Sequence, residues 1–273
     1  MVNILCCDAS TELFTANKGY MMTRNYFVSC SALVLAMTVA CSNVAAAEET
    51  PNGFLYGVGV GVNQEIYRGY SSRTIPLPIL GYRGEKLSVY GPFVSYQLAE
   101  LGNFSVSAKL APRFDGFDSS DSTVFTGMAK RKDSLDGGIA VQLRQQDWLL
   151  EADTVFDLLG NSNGQESTLA VSYSYCFNAV VVEPKFAVSY ADSDLVDYYY
   201  GVREDEAIAG RSAYSADGVL NYSAGLAVST PLFFGGMTRL GIEHKWYGSS
   251  ISDSPLTDRD TGLSAFISWS RFF

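Results

Sequence analysis

His244, the chain's one histidine, is the first residue to weigh for catalysis. Serine hydrolysis would set such a base beside a serine, with an acid orienting the ring. No serine stands at a spacing that ties it to His244, and alternation puts the ring on one face with Leu240, Ile242 and Trp246. That face reads as lipid-facing, so His244 is expected at a membrane boundary and no catalytic residue is expected. Asp192, Asp194 and Asp197 offer the hard oxygen ligands that calcium takes, but neither the glycine nor the closing glutamate of a calcium loop follows. They read as a solvated acidic loop, and no metal is expected. Gly57, Gly59 and Gly61 fall short of a dinucleotide fingerprint, because no helix and no acidic partner follow them; no cofactor is expected.

Two other groups carry more. Lys109, Arg113, Arg144, Glu151, Asp153, Asp157, Glu183, Lys185, Arg239, Glu243 and Lys245 share the inward phase of the strands described below; six are basic and five acidic. A selective pore lines itself with one dominant sign. A near-balanced set reads instead as ion pairs crossing and plugging a narrow barrel, with a thin channel for small solutes as the alternative. Tyr198, Tyr199 and Tyr200 are consecutive, so they cannot all share one side of a strand. They read as exposed aromatics, either at a protein contact, as in a surface adhesin, or anchored among outer headgroups.

The scaffold that would hold these residues shows its pattern in 261–273. Leu263, Ala265, Ile267, Trp269, Arg271 and Phe273 alternate with Gly262, Ser264, Phe266, Ser268, Ser270 and Phe272. A period of two with one apolar and one small, hydroxylated face is a strand with two different environments. The terminal phenylalanine fits the aromatic girdle of a membrane barrel. Similar strands are expected at 53–62, 74–83, 86–97, 104–114, 135–144, 147–158, 167–177, 180–191, 219–229 and 237–247. In 74–83, Ile75, Leu77 and Ile79 are expected outward, with Pro76 and Pro78 opposite and breaking the local pairing. The 86–97 strand is expected to bulge at Gly91–Pro92. Eleven strands would leave the two ends of the barrel on opposite sides. A strand at 122–129 restores the phase, giving twelve, with ten as the fallback. The expectation is an all-β fold: one transmembrane antiparallel β-barrel with short periplasmic turns and longer outer loops at 63–73, 159–166, 192–217 and 248–260.

Upstream, 24–47 has a basic start, an apolar run at 27–40 and Ala45-Ala46-Ala47, the pattern of a cleaved signal peptide. The true start is expected at Met21 or Met22, with 48–273 as the mature barrel. Lipidation at Cys41 is the rival reading. Cleavage leaves Cys176 alone, which excludes an internal disulfide and a multi-cysteine metal site. The net charge of −10 gives no electrostatic reason to bind nucleic acid. Seventeen tyrosines and sixteen phenylalanines suit strands and a membrane interface.

Several stretches carry a resemblance: GVGVGVNQEIYRGY (57–70), TIPLPILGYRG (74–84), DSLDGGIAV (133–141), DYYYGVREDEA (197–207), RSAY (211–214) and ISDSPLTDRDTGLSAF (251–266). Across nearly all of 53–273 the chain resembles the MltA-interacting protein family, also called MipA/OmpV. The resemblance implies an outer-membrane barrel with a non-enzymatic scaffolding role, holding a lytic murein transglycosylase near a murein synthase. It brings no catalytic residue. The residues Asp197, Tyr198, Tyr199, Tyr200 and Gly201, with Ser252, Asp253 and Pro255, match family motifs by position and form the candidate interaction loop.

Overall fold

The computed structural model describes residues 52–273. The signal peptide, the start at Met21 or Met22 and the lipidation of Cys41 lie outside the described residues. Thirteen strand segments form one antiparallel sheet: β1 (Gly53–Gln64), β2 (Ser72–Arg83), β3 (Leu87–Tyr90), β4 (Phe93–Leu101), β5 (Phe104–Arg113), β6 (Ser134–Gln145), β7 (Trp148–Asp157), β8 (Gln165–Tyr173), β9 (Tyr175–Phe177), β10 (Val180–Ala191), β11 (Val219–Pro231), β12 (Met237–Trp246) and β13 (Thr261–Phe272). β8 and β9 are one stave interrupted at Ser174, and both pair with β10. The sheet closes through β1 with β13 and β10 with β11, which makes a barrel of twelve staves. Closure pairs the backbone groups of neighbouring strands, the condition for spanning a bilayer with β-structure, except along the outer halves of β2 and β5. Phe54, Val58, Leu143, Leu169, Leu226, Ile242 and Ile267 stand exposed around its outside, the apolar band that lipid covers.

The twelve staves are not the twelve that alternation picks out. Segment 122–129 is no strand: Thr123–Phe125 is a single 3-10 turn capped by the Ser122 hydroxyl. Such a turn brings residues three apart onto one side. Phe125 and Met128 are buried together there, whereas a strand would part them. The missing stave comes from 86–97, which is a hairpin. Gly91, at φ 58, and Pro92 turn the chain between β3 and β4. The irregularity in pairing falls between Gln97 and Ala99 instead of at the proline.

The faces of β2 are also reversed from the expectation. Register sets Ile75, Leu77 and Ile79 beside Gly61, Gly59 and Gly57, so these side chains point inward over the space the glycines leave. Ile79 is buried, and Pro76 and Pro78 face out. Gly57 is tied to this packing, because a Cβ there would lie 2.1 Å from the Trp269 carbonyl oxygen. The proline expectation holds in its other half: β2 pairs with β1 throughout but with β3 only at Gly81–Arg83.

Five short turns, 84–86, 102–103, 146–147, 178–179 and 232–236, lie at one end, which is periplasmic by this asymmetry. At the other end, 65–71, 114–133, 158–164, 192–218 and 247–260 form long loops, with helices α1 (Ser193–Tyr200) and α2 (Ser249–Ser252).

Candidate functional site

The long loops fold over the mouth of the barrel and pack against one another. Asp192 begins this construction. Its side chain caps α1 by accepting from the Leu195 amide at 3.0 Å and reaches β8 by accepting from the Gln165 amide at 3.0 Å. Asp194 lies in the first turn of α1, where the helix dipole favours an anion. Asp197 accepts from the Ala216 amide at 2.8 Å. The acidic stretch therefore organises a helix, and Asp192 and Asp197 are half-buried, not solvated.

The helix turns Leu195, Val196 and Tyr199 into one apolar cluster with Ile66, Val219 and Ile251. A second cluster joins Tyr67, Phe117, Phe125, Met128, Val202 and Leu256. Phe117 and Phe125 stack with ring centroids 3.9 Å apart, and Tyr67 stacks on Tyr200 at 5.4 Å. The three tyrosines thus belong to a packed core and are not an exposed patch. Helical spacing, not strand alternation, distributes their rings. Tyr199 is 1% exposed, and its hydroxyl donates to the Lys132 carbonyl; the Tyr198 hydroxyl accepts from the Lys132 amide. Burial pushes the Tyr67, Tyr199 and Tyr200 hydroxyls above their ordinary range. Gly201 closes α1, its amide donating to Asp197 at 2.9 Å. Ser252 ends α2 and its carbonyl accepts from the Thr257 hydroxyl. Asp253 is exposed and Pro255 half-buried, beside the buried Ser254 that donates to the Tyr200 carbonyl at 2.6 Å.

An ion pair sits within the cap. Arg131 and Glu206, 1% and 4% exposed, meet in two parallel hydrogen bonds of 2.9 and 2.7 Å. Arg131 also donates to the carbonyls of Tyr198 and Ala129, and Glu206 accepts from the amides of Ala129 and Arg203. Burial opposes ionisation of Glu206, but these donors outweigh it and pull its carboxyl down to about 2. Arg211 donates to the carbonyls of Val124, Thr126 and Glu206, which sews 114–133 to 192–218.

Beneath the cap lies the lumen. An upper cavity of about 450 Å³ holds Lys109, 2.7 Å from Asp153, and Arg113, within 2.7–3.2 Å of Asp136, Glu166 and Asp115. A lower cavity of about 470 Å³ holds Arg239 paired with Glu183. Glu151, Lys185, Glu243 line both, and Lys245 lines the upper one. Two residues of the expected inward set do otherwise. Arg144 is exposed beside the 146–147 turn. Asp157 accepts from the amides of Leu159, Ser162 and Asn163, and so shapes the outer loop that follows it. His244 faces outward, its ring edge-on to Trp246 at 4.5 Å.

Sequence reasoning missed Asp136, although it shares the phase of Arg144. It missed Glu166 by starting that strand one residue late. Arg131, Glu206 and Arg211 gave no alternation signal, because they lie in loops.

A family model described as MltA-interacting protein MipA matches residues 56–273. The MltA-interacting protein of Escherichia coli (strain K12) is 26% identical over 236 residues, spanning 84% of this chain and 94% of that one. The outer membrane protein Omp26La of Vibrio anguillarum is 24% identical, over 82% of this chain and 91% of its own. Among solved structures, the NanC porin aligns over 80% of this chain and 99% of its own, with 8% identity and a TM-score of 0.42.

Proposed function

The chain belongs to the MltA-interacting protein family, and from that premise we propose that this outer-membrane barrel works without catalysis, as a scaffold that holds a murein transglycosylase, and with it a murein synthase, at its periplasmic rim. One observation carries the reading beyond the relatives' name. The loops over the outer mouth pack into two apolar clusters around a buried ion pair, so the short turns of the other end are the rim left for a periplasmic partner.

That end has a built feature. In the 232–236 turn, Phe233 and Phe234 both adopt left-handed backbone, at φ 58 and 51, which costs bulky residues about 1–3 kcal/mol each. The Trp269 indole donates to the Phe233 carbonyl at 3.0 Å, and Arg271 donates to the Phe234 carbonyl at 2.7 Å. The two phenyl groups stand 69% and 83% exposed. One such turn is far smaller than the ~800 Å² per partner of a stable interface, so a docked enzyme must straddle several turns.

Affinity capture from crosslinked cell envelopes tests the reading. A murein transglycosylase should come down with the barrel, and less of it with a Phe233→Ser/Phe234→Ser variant. Recovery of neither a transglycosylase nor a synthase overturns it. The charged cavities favour a second reading, a narrow channel for small solutes. Stepwise conductance of the purified protein in planar bilayers would support that reading, and silence would support the capped scaffold.

A further inference from the structure

We propose that the outer half of the wall between β2 and β5 is a lateral portal that admits a hydrocarbon chain of a bilayer phospholipid into the barrel. The gap follows from the register. The β3–β4 hairpin turns at Gly91–Pro92, at the level of Leu80, where the Gly91 amide donates to the Leu80 carbonyl at 3.2 Å. Among the described residues, β2 above that level has β1 as its only strand neighbour, and β5 beyond Leu110 has only β6. The Leu80 carbonyl points toward the hairpin side, and alternation sends the backbone groups of residues 76 and 78 the same way. Both are prolines, so at these two positions the open edge carries no N–H to face hydrocarbon, and the next N–H on that side is at Thr74, at the outer end of the gap.

A cavity of about 690 Å³ occupies this gap. It is lined by inward residues of β2, Ile75 and Leu77, and by outward ones, Pro76, Pro78 and Leu80. Contact with both faces of one strand means that it passes around the strand's edge and through the wall. It is thereby continuous with the lipid-covered surface, which is what selects a bilayer chain as the occupant. Its size is that of small-molecule sites, ~300–1,000 Å³. Phe114 lines both this cavity and the charged upper cavity, so it stands between them. Arg73 closes the outer end of the gap, donating to the carbonyls of Phe114 and Gly116 from β2 and lying 2.9 Å from Glu65. With no donor at 76 or 78, another β-strand is a poor occupant.

The test uses single cysteines in a background with Cys6, Cys7, Cys30, Cys41 and Cys176 all replaced by Ser, each labelled with a small fluorophore and reconstituted with brominated phospholipid. Heat-modifiable gel mobility verifies that each variant is folded. The probe at Leu77→Cys should be quenched at least half as strongly as one at the lipid-facing Val58→Cys, and several-fold more than one at Ala227→Cys in the lower cavity. Adding Ile75→Trp, which fills the gap, should lower the quenching at 77 and leave it unchanged at 58. Quenching at 77 no stronger than at 227, or untouched by Ile75→Trp, overturns the portal. Quenching at 77 by brominated free fatty acid added in water, but not by brominated phospholipid, overturns the bilayer chain as its occupant.

Discussion

The cap and the lower lumen each hold an arginine–glutamate pair, and the two pairs do different work. Arg131 and Glu206 are 1% and 4% exposed, and their other donors and acceptors meet backbone groups of two loops. Arg239 and Glu183 are 42% and 28% exposed, on facing parts of β12 and β10 with β11 between them. A buried charge without its partner is severely penalised, whereas an exposed one is re-solvated. The same chemistry therefore acts as a structural lock at one level of the barrel and as a tunable lining at the other.

The sharpest way to break this contrast is Arg131→Met. Removing one partner of a buried pair costs about 3–5 kcal/mol. Because the barrel staves are independent of this pair, the loss should be local, appearing as faster hydrogen exchange at α1 and at 123–131 with β-strand amides unchanged. Adding Glu206→Leu to the same chain should recover most of the protection, since it removes the stranded charge. Equal exchange in wild type and single variant would mean that the pair locks nothing.

Acid should act on the cap through the same residue. The Glu206 carboxyl is held near 2, below its ordinary 4.5, so its stabilisation is present above pH 4.5 and lost as pH falls from 4.5 through 2. Glu65 runs the other way. Burial raises its carboxyl to about 7 despite the Arg73 guanidinium beside it, so its stabilising contribution is full below pH 4.5 and lost as pH rises through 7. Exchange protection in 65–71, corrected for intrinsic rates, should drop between pH 4.5 and about 7 and become flat in Glu65→Gln. Protection around 204–206 should hold across that range and fail only in acid.

These two regions also mark what the chain made legible. Period two gave the barrel and most of the inward charges, because a stave's faces meet lipid and lumen separately, and the count of twelve stands because one strand too many at 122–129 offsets one too few at 86–97. It failed where backbone left the strand. At 86–97 a glycine–proline turn hides inside an alternating run, and at 122–129 a 3-10 turn mimics a short strand. It reversed β2, because the isoleucines and leucine there match lipid in type, and only pairing with Gly57, Gly59 and Gly61 draws them inward. The cap was the least legible part. Tyr198–Tyr200 read as exposed because alternation was assumed, while the helix that buries Tyr199 is announced by Asp192 capping and not by period two.

That cap suggests a milder perturbation, Asp192→Ala. Losing an N-cap costs about 0.5–2 kcal/mol, and here the tie to the Gln165 amide goes as well. Exchange at 193–200 should accelerate by less than in Arg131→Met, with 123–131 nearly unaffected. If both segments loosened together, the two apolar clusters would behave as one unit.

The smallest effect is expected at the lower pair, and it is the one that most directly tests the comparison. In Arg239→Gln the Glu183 carboxylate keeps water on one side and Lys185, two residues along β10, lines the same cavity. Exposed pairs contribute about 0–1 kcal/mol, so urea unfolding should shift hardly at all. What changes is charge: the lumen loses one positive group without losing its fold. If the lower cavity carries ions, conductance should move toward cations in this variant, while Arg131→Met should change whether current flows at all. A large stability loss in Arg239→Gln would mean that the lower lumen is as dry as the cap, and the division between lock and lining would not stand.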